Sequence, residues 1–160
     1  MKPIVVDIQG FISEKKFYAK EMAIFDGTRM NHYLFEESIG YHDLSKSDKK
    51  QVQYVTRNVH GLPYSSGCIP YKRLNDILKT HIFDTTDVVY VRGHQKKNLL
   101  DVATKEEDCN LEIIDVAVTY PDAPKFNREA PLCMNHNPGL YMCSIRNCHV
   151  LYDWLSTWWH

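Results

Sequence analysis

Ile4-Val5-Val6-Asp7-Ile8-Gln9-Gly10 decides how the rest of the chain is read. β-Branched residues fit a pleated, enclosed surface, and a short apolar run closed by turn residues predicts a buried strand over residues 4–8 with a turn behind it. Working outward, residues 17–25 alternate apolar and polar, and the Asp26-Gly27 dipeptide closes them as a turn. Residues 30–35 follow as the hairpin partner. These segments predict a three-strand antiparallel meander.

The periodicity then changes. Ser45 or Ser47 can cap a helix reaching about Asn58, with Val52, Tyr54 and Val55 as its apolar positions, and His60-Gly61-Leu62-Pro63 breaks it. His60-Gly61-Leu62 reads as a structural turn. Pro70 opens a second helix to about His81, on which Leu74, Ile77 and Leu78 form one stripe. Val88-Val89-Tyr90-Val91 is a central-strand sequence within residues 87–92, ending at Gly93. A helix over 95–104, a strand over 111–118, a Pro- and Asn-rich irregular stretch over 120–138 and a last helix over 140–158 complete the reading. Ile145, Leu151, Tyr152 and Leu155 share one face of that last helix. The order β-β-β-α-α-β-α-β-loop-α predicts one α/β domain over residues 1–160, a mixed sheet with helices on its faces, as in ribonuclease H-like folds.

Composition narrows the function. The 160 residues are 44% apolar and 12% aromatic, enough for a packed core without staples. Lys and Arg number 19 against 20 Asp and Glu, for a net charge of −1, so gripping a nucleic acid backbone would require a local basic groove. No apolar run reaches the roughly 18–20 residues of a membrane span, and the first apolar stretch is too short for a signal peptide. Five cysteines, at 68, 109, 133, 143 and 148, are an odd number for a disulfide framework. They read as reduced thiols of an intracellular protein, cytoplasmic or nuclear.

The sharpest chemical signal is Cys133-Met134-Asn135-His136 followed by Cys143. Two ligands separated by two residues can wrap one tetrahedral ion, and a third at the head of a helix comes within reach. Sulfur and nitrogen donors favour zinc over magnesium or calcium. The plainer reading makes these cysteines small buried hydrophobes and His136 a loop residue. Spacing leaves the fourth ligand open among Cys109, Cys148, His149 and several carboxylates.

A family resemblance runs through Val6-Asp7-Ile8-Gln9-Gly10, Lys20-Glu21-Met22-Ala23-Ile24, Tyr90-Val91-Arg92-Gly93 with Lys97-Asn98-Leu99-Leu100-Asp101, Leu111-Glu112-Ile113-Ile114-Asp115-Val116, Leu132-Cys133 with His136, and Cys143 with Asn147. In that order, over nearly the whole chain, these segments resemble the DEDDh exonuclease domain of arenavirus nucleoproteins and the Maelstrom domain of the Piwi-interacting RNA pathway. The resemblance implies a structural zinc on Glu21, Cys133, His136 and Cys143. DEDDh nucleases hold two divalent ions about 3.5–4 Å apart on four carboxylates, with a His to activate water. Asp7 stands where the first acid belongs. Gln9 replaces the second acid, His94-Gln95-Lys96-Lys97 stands where the third is expected, Met142 replaces the His, and Asn147 replaces the last Asp. A register shift would bring Asp101 near the third position.

These departures imply a domain that has lost magnesium- or manganese-dependent catalysis. It would then act by binding RNA, or a protein of an RNA-silencing or other nucleic-acid pathway. Arg92, His94, Lys96 and Lys97, at the C-terminal end of a strand, are the candidate phosphate contacts. A ribonuclease or 3′–5′ exonuclease using Asp7 and His94 by another route, and an adaptor without nucleic acid contact, are the alternatives. Trp154, Trp158 and Trp159 read as C-terminal packing, and exposure of the last two would indicate an interaction surface.

Overall fold

The computed structural model describes residues 3–158. Its five-stranded mixed sheet has the order β3-β2-β1-β4-β5, with β1 Val5–Ser13, β2 Lys16–Phe25, β3 Met30–Leu34, β4 Val88–Val91 and β5 Glu112–Asp115. β1–β2 and β2–β3 pair antiparallel, while β1–β4 and β4–β5 pair parallel. Helices α1 Lys46–Val55, α2 Leu74–Leu78, α3 His94–Glu106, α4 Val116–Thr119 and α5 Ser144–Ser156 flank it.

Period-two alternation sorts β1 and β2 between two cores. Val6, Ile8, Met22 and Ile24 point toward Leu74, Ile77, Leu78, Leu100 and Ala103 of α2 and α3. Val5, Ala23 and Phe25 point the other way, onto Leu151, Leu155 and Cys148 of α5. Asp7 and Glu21 share the parity of that second set, so both carboxylates enter the sheet face that α5 covers. Ile145, Tyr152 and Trp154 pack on the same cluster, and Trp158 is exposed; Trp159 lies outside the described residues.

Several boundaries differ from the sequence expectation, each for a local reason. The first strand does not turn at Gly10 but runs on to Ser13. Its pairing slips there as a bulge, where a Cβ on Gly10 would meet the Tyr18 carbonyl oxygen at 2.0 Å. The real turn is Glu14-Lys15, both with positive φ. β5 ends at Asp115 because its carboxylate accepts the Ala117 N–H at 3.1 Å and caps the turn α4. The expected 70–81 helix is divided into a 3₁₀ turn Tyr71–Arg73, α2, and a π turn Lys79–Phe83. α5 starts at Ser144, not 140, because Tyr141 pairs with Glu129 and the Met142 N–H donates to the Val59 carbonyl. No helix among the described residues is long and apolar enough to cross a membrane.

Candidate metal centre

Four donors from three parts of the chain converge beside α5. Glu21 comes from β2, Cys133 and His136 from the irregular stretch, and Cys143 from the N-cap of α5; their ligand atoms all lie within 4.8 Å of one another. Tetrahedral zinc, with bonds of about 2.0–2.3 Å, requires donors within about 4 Å of each other, so the set is close to a binding geometry.

Each nitrogen and oxygen donor is aimed by a second contact. The Ser144 backbone N–H donates to Glu21 Oε1 at 2.8 Å, leaving Oε2 to face His136 Nε2 at 3.0 Å and the Cys133 sulfur at 3.2 Å. His136 Nδ1–H donates to the His60 carbonyl, which fixes the tautomer and turns Nε2 into the cluster. The loop carrying the donors rests on three consecutive carbonyls: Val59 accepts from Met142, His60 from His136 and Gly61 from Asn137. His60 is itself buried and held at both nitrogens. Nε2–H donates to the Gly10 carbonyl at 3.0 Å, and Nδ1 accepts the Leu62 N–H at 3.0 Å. Gly61 takes a left-handed conformation, φ +64°, against the Tyr141 ring, where a side chain would collide.

The electrostatics are those of a paired, dry site. Burial opposes ionisation of Glu21, but hydrogen bonds from His136 and His32, with the Ser144 N–H, hold its carboxyl well below the usual range. The Cys133 thiol draws the Cys143 pKa down to about 4 against burial, with His136 adding to the effect. Burial lowers the His136 pKa, yet Cys143 and Glu21 outweigh it and raise it to about 10. The hydrogen bond with Cys143 pushes Cys133 up. Two sulfurs, one imidazole nitrogen and one carboxylate oxygen, with Glu21 and Cys143 buried and Cys133 and His136 half-buried, fit a tetrahedral metal ion such as zinc.

The competing candidates stay outside. Cys148 is buried and donates to the Ala23 carbonyl, His149 packs its ring on Phe25, and Cys109 follows the C-terminus of α3. His32 was not foreseen. Its Nε2 lies 2.9 Å from Glu21 Oε2, placed by a hairpin register that pairs Phe25 with Met30 and His32 with Ala23, which the Asp26-Gly27 dipeptide alone does not specify.

One turn along α5 lies the cleft around Asp7. Gln9 Nε2 and Asn147 Nδ2 each donate to Asp7 Oδ2 at 2.9 Å, and the Lys96 ammonium ion-pairs with Oδ1. Asp7 is fully buried. The structure brings Asp7, Gln9 and Asn147 together with Lys96, from the stretch that stands where a third acid was expected. Of the remaining basic candidates, Lys97 pairs with Asp101 at 2.8 Å, His94 Nε2 contacts the Asn98 amide at 3.0 Å, and Arg92 is half-buried. Comparison with protein-family models, curated proteins and solved structures returns no match.

Proposed function

We propose that this chain is a zinc-stapled, ribonuclease H-like domain of the Maelstrom and DEDDh-exonuclease type that has lost two-metal catalysis and works as a binding module for a protein partner. The observation that carries the reading is the double use of α5. Its N-terminus closes the donor set through Cys143 and Ser144, and one turn on it presents Asn147, a carboxamide, to Asp7. The element order and the three-strand meander followed by two parallel strands support the fold assignment.

Two divalent ions need clustered negative charge. Among the described residues, the charges in direct contact around Asp7 are the carboxylate itself and the Lys96 ammonium, which cancel, and the two amides add none. A buried, neutralised carboxylate neither collects cations nor reaches a substrate. Protein binding is favoured over RNA because two of the four anticipated basic residues, Lys96 and Lys97, already hold carboxylates.

Protein purified without chelator should carry close to one zinc per chain by elemental analysis, and less than about a tenth of an equivalent overturns the zinc assignment. The same sample should not shorten single-stranded RNA in magnesium or manganese. EDTA-sensitive 3′-end degradation that Asp7→Ala abolishes would restore the nuclease. Micromolar binding of single-stranded RNA that weakens with salt by about 0.7 log units per phosphate contact would replace the protein partner by RNA.

A further inference from the structure

We infer that the groove between α3, the start of α2 and the β1–β2 hairpin is a docking site for an acidic peptide segment with aliphatic anchors. The site rests on the geometry of the groove, and its biological role rests on the binding-module reading above. The groove encloses about 580 Å³, the size of a cleft that receives a ligand or a few side chains, and it opens on the sheet face away from the metal centre.

Its floor is aliphatic. Ile12, Leu74, Leu99 and Val102 line it with Ala103, and Val102 is 53% exposed in mid-helix although Leu100, across the helix, is fully buried. Its rim is cationic. Lys15, Lys16 and Lys72 border the opening with His94, and none of the three ammonium groups has a described carboxylate within 4.0 Å. Glu106 is the one acid of the lining, and it accepts a hydrogen bond from Asn75 at 3.2 Å. A chain with a net charge of −1 thus gathers three lysines without a described carboxylate partner around one apolar trough, the Lys16 ammonium lying 5.0 Å from the Tyr18 ring centroid. Positive rim and apolar floor together call for an occupant with carboxylates flanking aliphatic side chains.

The hairpin tip adds an independent observation. Glu14 and Lys15 have φ of 50° and 66°, the two-residue turn that Asn-Gly adopts without strain. Non-glycine residues there cost about 1 kcal/mol each. This strained turn sets Lys15 at the rim of the groove. The turn is tied down, since Asp48 Oδ2 accepts from the Ser13 hydroxyl at 2.9 Å and the Glu14 N–H at 3.2 Å.

The groove suits nucleic acid less well. Bases need flat aromatic faces; of the three rings of the lining, His94 is held by the Asn98 amide and Phe17 and Tyr71 pack against the core. The Phe17 ring tip lies 2.9 Å from where a Gly10 Cβ would be, and the Tyr71 hydroxyl accepts the Ala19 N–H at 3.0 Å.

The test uses the full metal-loaded chain and a display library of random twelve-residue peptides, with the selected sequences remade as labelled probes for fluorescence polarisation. Enriched peptides should combine Asp or Glu with two or three aliphatic residues. Their affinity should drop at least tenfold in Lys16→Glu/Lys72→Glu and again in Val102→Asp, and should fall with added salt. Methyl NMR shifts on titration should centre on Leu74, Leu99 and Val102. No enrichment, enrichment of basic peptides, affinity unchanged in both variants, or shifts confined to the metal-bearing face would each overturn the inference. Tighter binding of a twelve-nucleotide single-stranded RNA in the same groove would do so too. Because zinc content and absence of nuclease activity are measured on the same sample, failure of the groove is distinguished from failure of the domain assignment.

Discussion

Replacing His60 by glutamine tests whether the buried imidazole is the neutral strut that seats the metal-bearing loop. Burial lowers its pKa from the ordinary 6.5 to about 4, and the hydrogen bond to the Gly10 carbonyl only partly opposes that shift. Below pH 6.5 the unfolded chain takes up a proton that the folded chain refuses until about pH 4. The contribution of His60 is therefore complete above the unfolded value and lost as pH falls toward 4. At 1.36 kcal/mol per unit this amounts to about 3 kcal/mol. A glutamine side chain can repeat both bonds, amide N–H to Gly10 and amide oxygen from Leu62, without titrating. His60→Gln should cost about 1 kcal/mol at pH 7, and its stability should fall less steeply than that of the wild type between pH 6.5 and 4. The difference is read from urea unfolding of both metal-loaded proteins at each pH. Protonation of Glu21 and the other donors is common to both and cancels in the comparison. Parallel curves would refute the strut. His60→Phe, which leaves the buried Gly10 carbonyl and Leu62 N–H unanswered, should cost roughly 2–6 kcal/mol at pH 7.

Cys133→Ser should lose bound metal, by elemental analysis, and several kcal/mol of stability by thermal unfolding. Lys96→Met leaves Asp7 as a buried charge without its cation and should cost about 3–5 kcal/mol in urea unfolding, most of it recovered in Lys96→Met/Asp7→Asn. Glu14→Asn/Lys15→Gly should raise stability by about 1 kcal/mol by relieving the strained turn, while weakening the acidic peptide probe in fluorescence polarisation. Gly67→Ala should destabilise the chain in thermal unfolding by about 1–3 kcal/mol, because Gly67 has φ +126° and a Cβ there would meet the Phe35 carbonyl oxygen at 2.2 Å.

The α/β class, the meander and the burial of the Asp7 strand were legible because apolar patterning and the Asp26-Gly27 turn act locally. Glu14-Lys15 carries no turn signature, and Gln9-Gly10 carries a false one, so the first hairpin was closed five residues too early. Asp115 ended a strand inside the β-favouring stretch 111–118, since its carboxylate competes with the ladder for the Ala117 N–H. Cys133, His136 and Cys143 were visible as a spaced set, whereas spacing alone left the fourth donor open and only the family resemblance singled out Glu21. The Lys96–Asp7 pair joins residues 89 apart, and nothing local marks it. Lys96 and Lys97 looked alike as adjacent lysines. The helix places one in the cleft and the other beside Asp101.

The position of the metal centre follows from what the irregular segment lacks. Between Tyr120 and α5 the chain has one isolated bridge, Glu129↔Tyr141, and gives the core little beyond Ala123 and Phe126. Ordering backbone costs about 1–2 kcal/mol per residue, and so little apolar burial cannot offset that over such a length. A tetrahedral ion is worth on the order of 10 kcal/mol to a chain that folds around it, and its donors sit where the segment must be fixed. Cys133 and His136 fasten the segment to β2, and Cys143 fastens the start of α5. From there the helix carries Asn147 onto Asp7 and Leu151 and Leu155 into the core. The opposite face, with α2, α3 and the groove, is built from long apolar stripes and needs no such fastening. The sheet thus separates a face where four donors that could hold a metal ion sit beside the α5 core from a face built on burial alone, and the second leaves Val102 and three lysines without a described carboxylate partner at its edge.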